Sequence, residues 1–132
     1  MTHEELSQIY YLKKEIKLID ERLEELQTKA THITPTLSKA PSCPPPAGAK
    51  FEKDVDKRLK LEQQLSDLKK RVEIETLRIQ DYIYSIDDSL MRMIITLRCV
   101  NCYSWVKVAM TIGGSNTADS VRMAYFRYIK CH

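Results

Sequence analysis

Two long stretches of this chain repeat apolar residues at alternating steps of three and four. In the first, Ile9, Leu12, Ile16, Ile19, Leu23 and Leu26 form the heptad seam of a coiled coil, with charged residues at almost every other position. In the second, Leu61, Leu65, Leu68 and Val72 repeat the pattern. Thr76, Ile79, Ile83 and Ile86 continue it after a step of four where three is due, a stutter that locally relaxes a left-handed supercoil. The spacing predicts one helix of about 26 residues and a second of about 36, roughly 39 and 54 Å long at the helical rise. A seam on each and a connection of about 20 residues predict an antiparallel coiled-coil hairpin.

The pattern changes after residue 100. Ser104 to Lys130, SWVKVAMTIGGSNTADSVRMAYFRYIK, reads as two short helices around a Gly-Gly turn. Trp105, Val108, Ala109 and Ile112 give the first helix an apolar face, with Ser104 placed as its N-cap. Gly113 and Gly114 are suited to positive φ, which ends that helix and turns the chain. Thr117 offers a hydroxyl N-cap to the second helix, and Asp119 falls in its first turn, where the dipole favours an anion. Val121, Ala124, Tyr125 and Tyr128 then form a buried stripe, leaving Ser120, Arg122, Met123, Phe126, Arg127 and Lys130 outward. This is a helix-turn-helix signature, and an outward face with two arginines and a lysine suits a DNA major groove.

The chain's punctuation divides it. All five prolines lie between Pro35 and Pro46, inside Thr31 to Lys50, a stretch without apolar periodicity that reads as a Pro-rich linker, or spacer, at about 31–50. The expected organisation is a helical hairpin over 1–86, followed by a DNA-binding domain over 87–132 that Asp87 and Asp88 open. The fold class expected is all-α.

Charge sharpens this division. The net charge of +3 is unevenly placed: residues 1–50 carry seven basic and seven acidic side chains, residues 51–86 eight of each, and residues 87–132 six basic against three acidic. The C-terminal segment therefore holds the whole excess, which favours encounter with phosphate backbones.

Other chemistries find little to work with. His3, His32 and His132 have no nucleophile or carboxylate at a diagnostic spacing, and no phosphate-binding loop or HExxH occurs, so the chain reads as a non-enzyme without cofactor. Cys99 and Cys102 form a CxxC, and Cys131 and His132 end the sequence, but adjacent ligands at a helix end project in different directions and do not make a zinc site. The four cysteines, including Cys43 in the linker, read as reduced thiols in a cytoplasm. No apolar run approaches the roughly 20 residues of a membrane span.

From about Asp88 to Lys130, and most specifically in GGSNTADSVR, the chain resembles a family of small proteins from phages and prophages of Gram-positive bacteria. Members combine an N-terminal helical segment with a C-terminal domain similar to sigma-factor region 4, and the family is similar to phage late-gene transcription regulators of the ArpU and RinA type. The resemblance implies a cytoplasmic regulator in a bacterial host that binds double-stranded promoter DNA and touches host RNA polymerase. It carries DNA contacts to Asn116, Thr117, Asp119, Ser120, Arg122 and Met123. The residues themselves add Arg127 and Lys130 on the same helix, and Arg98 and Lys107 on the preceding ones as backbone-positioning contacts. The turn is about two residues longer than in ordinary sigma-like motifs, which shifts the last helix along its axis. A homodimer through the coiled coil would pair two readers on spaced half-sites. The competing expectation is a structural or adaptor protein, or a phage packaging subunit, whose coiled coil is the working surface and whose helix-turn-helix is scaffold.

Overall fold

The computed structural model describes residues 1–32 and 47–132, with side chains described over 1–29 and 52–132. Every regular element in that range is helical: α1 (His3–His32), α2 (Ala47–Tyr84), α3 (Ser89–Ile95) running into a π-helical turn (Thr96–Val100), α4 (Trp105–Ile112) and α5 (Ala118–Cys131). The two long helices thus reach into the 31–50 segment from both sides, where Thr31–His32 and Ala47–Lys50 contain no proline. The proline cluster with Cys43 lies outside the described residues.

The chain forms two compact units, Lys14–Lys70 and the pair Met1–Lys13 with Arg71–His132. In Lys14–Lys70 the heptad positions are the less exposed ones: Ile16, Ile19, Leu23, Leu26, Leu61 and Leu65 are half-buried and Leu68 is buried. Its flanks carry exposed i,i+4 ion pairs, Lys17–Glu21 at 4.0 Å and Arg58–Glu62 at 3.2 Å. Pairs of this kind contribute at most a few tenths of a kcal/mol each, about 0.3–0.5.

The other unit is built around a converging core. Its α1 segment starts with a capping box: the Thr2 amide donates to Glu5 Oε2 at 2.8 Å and the Glu5 amide donates to Thr2 Oγ1 at 3.3 Å. The Thr2 amide, ahead of the nearby Arg78 guanidinium, holds the Glu5 carboxyl below its ordinary range. Arg78 on α2 donates to Glu5 Oε1 at 3.1 Å. Below these, Leu6 and Ile9 of α1 join Ile79, Ile83 and Ile86, Met91, Ile94 and Ile95 of α3, and Val108, Val121 and Tyr125 of α4 and α5 in one hydrophobic core. The seam expected to begin at Ile9 therefore begins one turn earlier, at Leu6.

Asp88 caps α3 by accepting from the Leu90 amide at 2.9 Å, and Arg92 donates to the Ile86 carbonyl at 2.7 Å, fixing the bend after α2. The π-helical turn closes with the Asn101 amide on the Thr96 carbonyl at 3.0 Å, five residues back. A π-turn winds through fewer degrees per residue than an α-turn, so it swings Cys99 into the core and leaves Arg98 on the flank. Two residues beyond it Cys102 takes φ 59°, a left-handed conformation that costs a non-glycine residue about 1–2 kcal/mol. The open carbonyl end of the π-turn is closed from outside, where Lys13 of α1 donates to the Val100 carbonyl at 2.7 Å.

Candidate nucleic-acid interface

The two C-terminal helices begin as their residues require. Ser104 caps α4 by accepting from the Lys107 amide at 3.3 Å. Gly113 ends that helix at φ 75° and ψ −165°, a region closed to side-chain-bearing residues, and Gly114 follows at φ 70°. Thr117 and Ser120 then form a capping box for α5: the Ser120 amide donates to Thr117 Oγ1 at 3.1 Å and the Thr117 amide to Ser120 Oγ at 2.9 Å. Asn116 donates from Nδ2 to the Gly113 carbonyl at 3.0 Å. Three side chains expected at the DNA are thus held by the turn that starts α5.

The rest of α5 divides into two faces. Val121 and Tyr125 are buried, and Ala124, Tyr128 and Ile129 pack against the core. Asp119, Arg122, Met123, Arg127 and Lys130 are exposed, and Arg122, Arg127 and Lys130 enter no ion pair among the described residues. The Arg122 guanidinium lies 6.0 Å from the Phe126 ring centroid, at the edge of cation–π range.

Phe126 corrects the expected outward face. It is half-buried, because the His3 ring of α1 lies 5.2 Å from it and Trp105 of α4 6.3 Å. The first turn of α1 thus covers the middle of that face, and period alone could not reveal a cover supplied from 123 residues away in sequence. His3 Nδ1 also lies 3.0 Å from the Tyr125 hydroxyl, which in turn is 3.8 Å from Cys99 Sγ.

The two cations on the preceding elements are placed differently. Arg98 is half-buried, donates to the Tyr103 carbonyl at 2.7 Å and stacks 4.7 Å from the Trp105 ring centroid. Those contacts brace the junction between the π-turn and α4. Lys107 is exposed, with its ammonium 3.7 Å from the Tyr103 ring centroid.

The CxxC is occupied with packing. Burial pushes the Cys99 thiol up to about 11, too high for a reactive thiolate near neutrality. The Cys102 thiol donates to the Cys99 and Val100 carbonyls at 3.6 and 3.7 Å, closing the π-turn from within. Burial likewise raises the Tyr125 phenol, with the neighbouring Cys99 adding to the effect. No group of three or more His, Cys, Asp or Glu side chains among the described residues could hold a metal ion. No helix among them is long and apolar enough to cross a membrane.

What this surface offers a ligand is fixed cationic charge on a helix whose start is locked by reciprocal caps. No protein-family model, no curated protein and no solved structure matches this chain.

Proposed function

We propose that the C-terminal helices bind double-stranded DNA as a helix-turn-helix, and that the chain is a transcriptional regulator of phage or prophage genes. The observation that carries this reading is the outward face of α5, where Arg122, Met123, Arg127 and Lys130 stand exposed and the three cations enter no ion pair among the described residues. A rigid helix presenting cations without internal partners suits phosphate and base-edge contact. In this reading Arg122, Met123 and Asp119 face base edges. Arg127, Lys130 and Lys107 meet phosphates, and the side chains of Asn116, Thr117 and Ser120 serve the turn, leaving Arg98 as a brace. The two long helices form an antiparallel hairpin, a reading supported by the Arg78–Glu5 pair and by Leu6 and Ile9 sharing a core with Ile79 and Ile83.

Fluorescence anisotropy of the full chain with promoter-containing and scrambled duplexes over a salt series tests this. Expected is tighter binding to the promoter duplex, falling steeply as salt rises, with selectivity lost in an Arg122→Ala, Arg127→Ala double variant. Absence of binding at near-physiological salt, or equal binding by wild type and variant, would overturn it. A second reading, an adaptor whose long helices are the working surface, is favoured by the apolar side chains left exposed on them, Tyr11 and Leu18 on α1 and Ile74, Leu77 and Tyr84 on α2.

A further inference from the structure

Helix α2 carries a second stripe on the side opposite its seam. At 100° per residue, Asp67, Lys70, Ile74, Leu77, Asp81 and Tyr84 follow one another at steps of three and four, and all six are exposed. The apolar members are open to solvent: Ile74 is 63% exposed, Leu77 62% and Tyr84 85%. On the far side of the same helix Ile79 and Ile83 are buried in the core, so the stripe is not a misplaced part of it. Lys70 and Asp81 take part in no ion pair among the described residues.

The order of residues along this stripe is self-complementary. Reversed about a point between Glu75 and Thr76, it maps Ile74 onto Leu77, Lys70 onto Asp81 and Asp67 onto Tyr84. Two copies of α2 laid antiparallel across a two-fold axis at that point would therefore join Ile74 to Leu77 of the second copy, twice. Each end would be closed by a Lys70–Asp81 pair, and beyond it the Tyr84 phenol would donate to the Asp67 carboxylate. A parallel pairing would set lysine on lysine and aspartate on aspartate. An isologous contact needs this kind of self-complementarity, and charges flanking a helical seam are what set its orientation and register.

We propose that this back face of α2 is a homodimer interface, antiparallel, with its two-fold axis between residues 75 and 76. It is separate from the heptad seams, and it stands whether or not α5 binds DNA. The stripe from Asp67 to Tyr84 is about 27 Å long at the helical rise. A contact of that length and one helix wide is at the small end for specific interfaces, so dissociation in the micromolar range is expected, on the order of 10 to 100 μM.

Sedimentation equilibrium of the full chain over a concentration series, with circular dichroism to verify helicity, tests the proposal. Expected is a reversible monomer–dimer equilibrium, weakened at least about tenfold by Leu77→Glu and by Asp81→Lys, which sets two lysines together at each end. The Lys70→Glu, Asp81→Lys double variant should recover most of the loss. Residues 70 and 81 stand about 16 Å apart along one helix, too far to compensate each other within a single copy, so recovery reports contact between copies in this register. A chain that stays monomeric to about 500 μM overturns the proposal, since its dissociation constant would then lie well above the expected range. So does a dimer that Asp81→Lys leaves intact, or a helical double variant that fails to recover. Leu18→Glu, on the back of α1, should leave the equilibrium unchanged.

Discussion

In the unit made of Met1–Lys13 and Arg71–His132, Leu6, Ile9, Ile79, Ile94, Ile95, Val108 and Tyr125 are almost wholly removed from water, whereas in Lys14–Lys70 only Leu68 among the described residues is buried and the remaining seam positions stay half-exposed. The composition of the apolar positions is similar, mostly Leu and Ile in both. What differs is enclosure: in the first unit several helices arriving from different directions surround a side chain completely, whereas the seam positions of the second keep part of their surface open to solvent. Burial per residue, and hence stability per residue, follows from that geometry.

The largest expected effect separates the two units directly. Leu6→Ala removes a fully buried side chain and should cost about 3–4 kcal/mol in urea unfolding, while Leu23→Ala in the half-exposed seam should cost about 1. Equal costs would mean that the first turn of α1 is not part of the core and would break the comparison.

A pH series sharpens it next, because enclosure should appear as a titration. Burial raises the Cys99 thiol to about 11 from an ordinary 9.0, so the folded state holds its proton where the unfolded chain has released it. The associated stability is intact below about pH 9 and is lost as pH climbs toward about 11, by up to about 3 kcal/mol. Cys99→Ala should flatten that part of the profile, as followed by denaturant melts from pH 8 to 11. A profile of unchanged slope would place the thiol in contact with solvent.

The smallest expected effects lie at the turn between α4 and α5, where backbone conformation rather than burial decides. Gly113→Ala should destabilise by about 2 kcal/mol through φ and ψ alone, since an added Cβ would meet nothing within 4 Å. Thr117→Ala, which removes the cap of α5, should cost about 1 kcal/mol. Thermal melts of the two variants check both values, and a neutral Gly113→Ala would show that the turn relaxes freely.

Much of the molecule was legible in the order of its residues. The seam positions Ile16, Ile19, Leu23, Leu26, Leu61, Leu65 and Leu68 are the protected ones, Ser104 and Thr117 do cap α4 and α5, and Gly113 and Gly114 do take positive φ. Thr2 with Glu5 is a capping box written plainly in the sequence, and reading it would have started α1 a turn before Ile9 and brought in Leu6. In the candidate interface, the exposure of Arg122, Met123, Arg127 and Lys130 followed from helical period. Arg98 and Phe126 did not: a guanidinium bound to the Tyr103 carbonyl and a ring covered by His3 depend on partners from other elements.

By itself, then, the sequence determined what is local: where helices start and stop, which stripe of each is apolar, and where charge accumulates. These depend on residues within one or two turns of each other, whose spacing is fixed by the helix itself. Only the tertiary structure decided which stripes become enclosed, that the first turn of α1 belongs with the C-terminal helices, that a π-turn trades Arg98 for Cys99 in the core, and that the back of α2 is left bare. Those outcomes turn on how distant segments meet, and no period along a chain specifies which distant side chain will arrive to cover a given face.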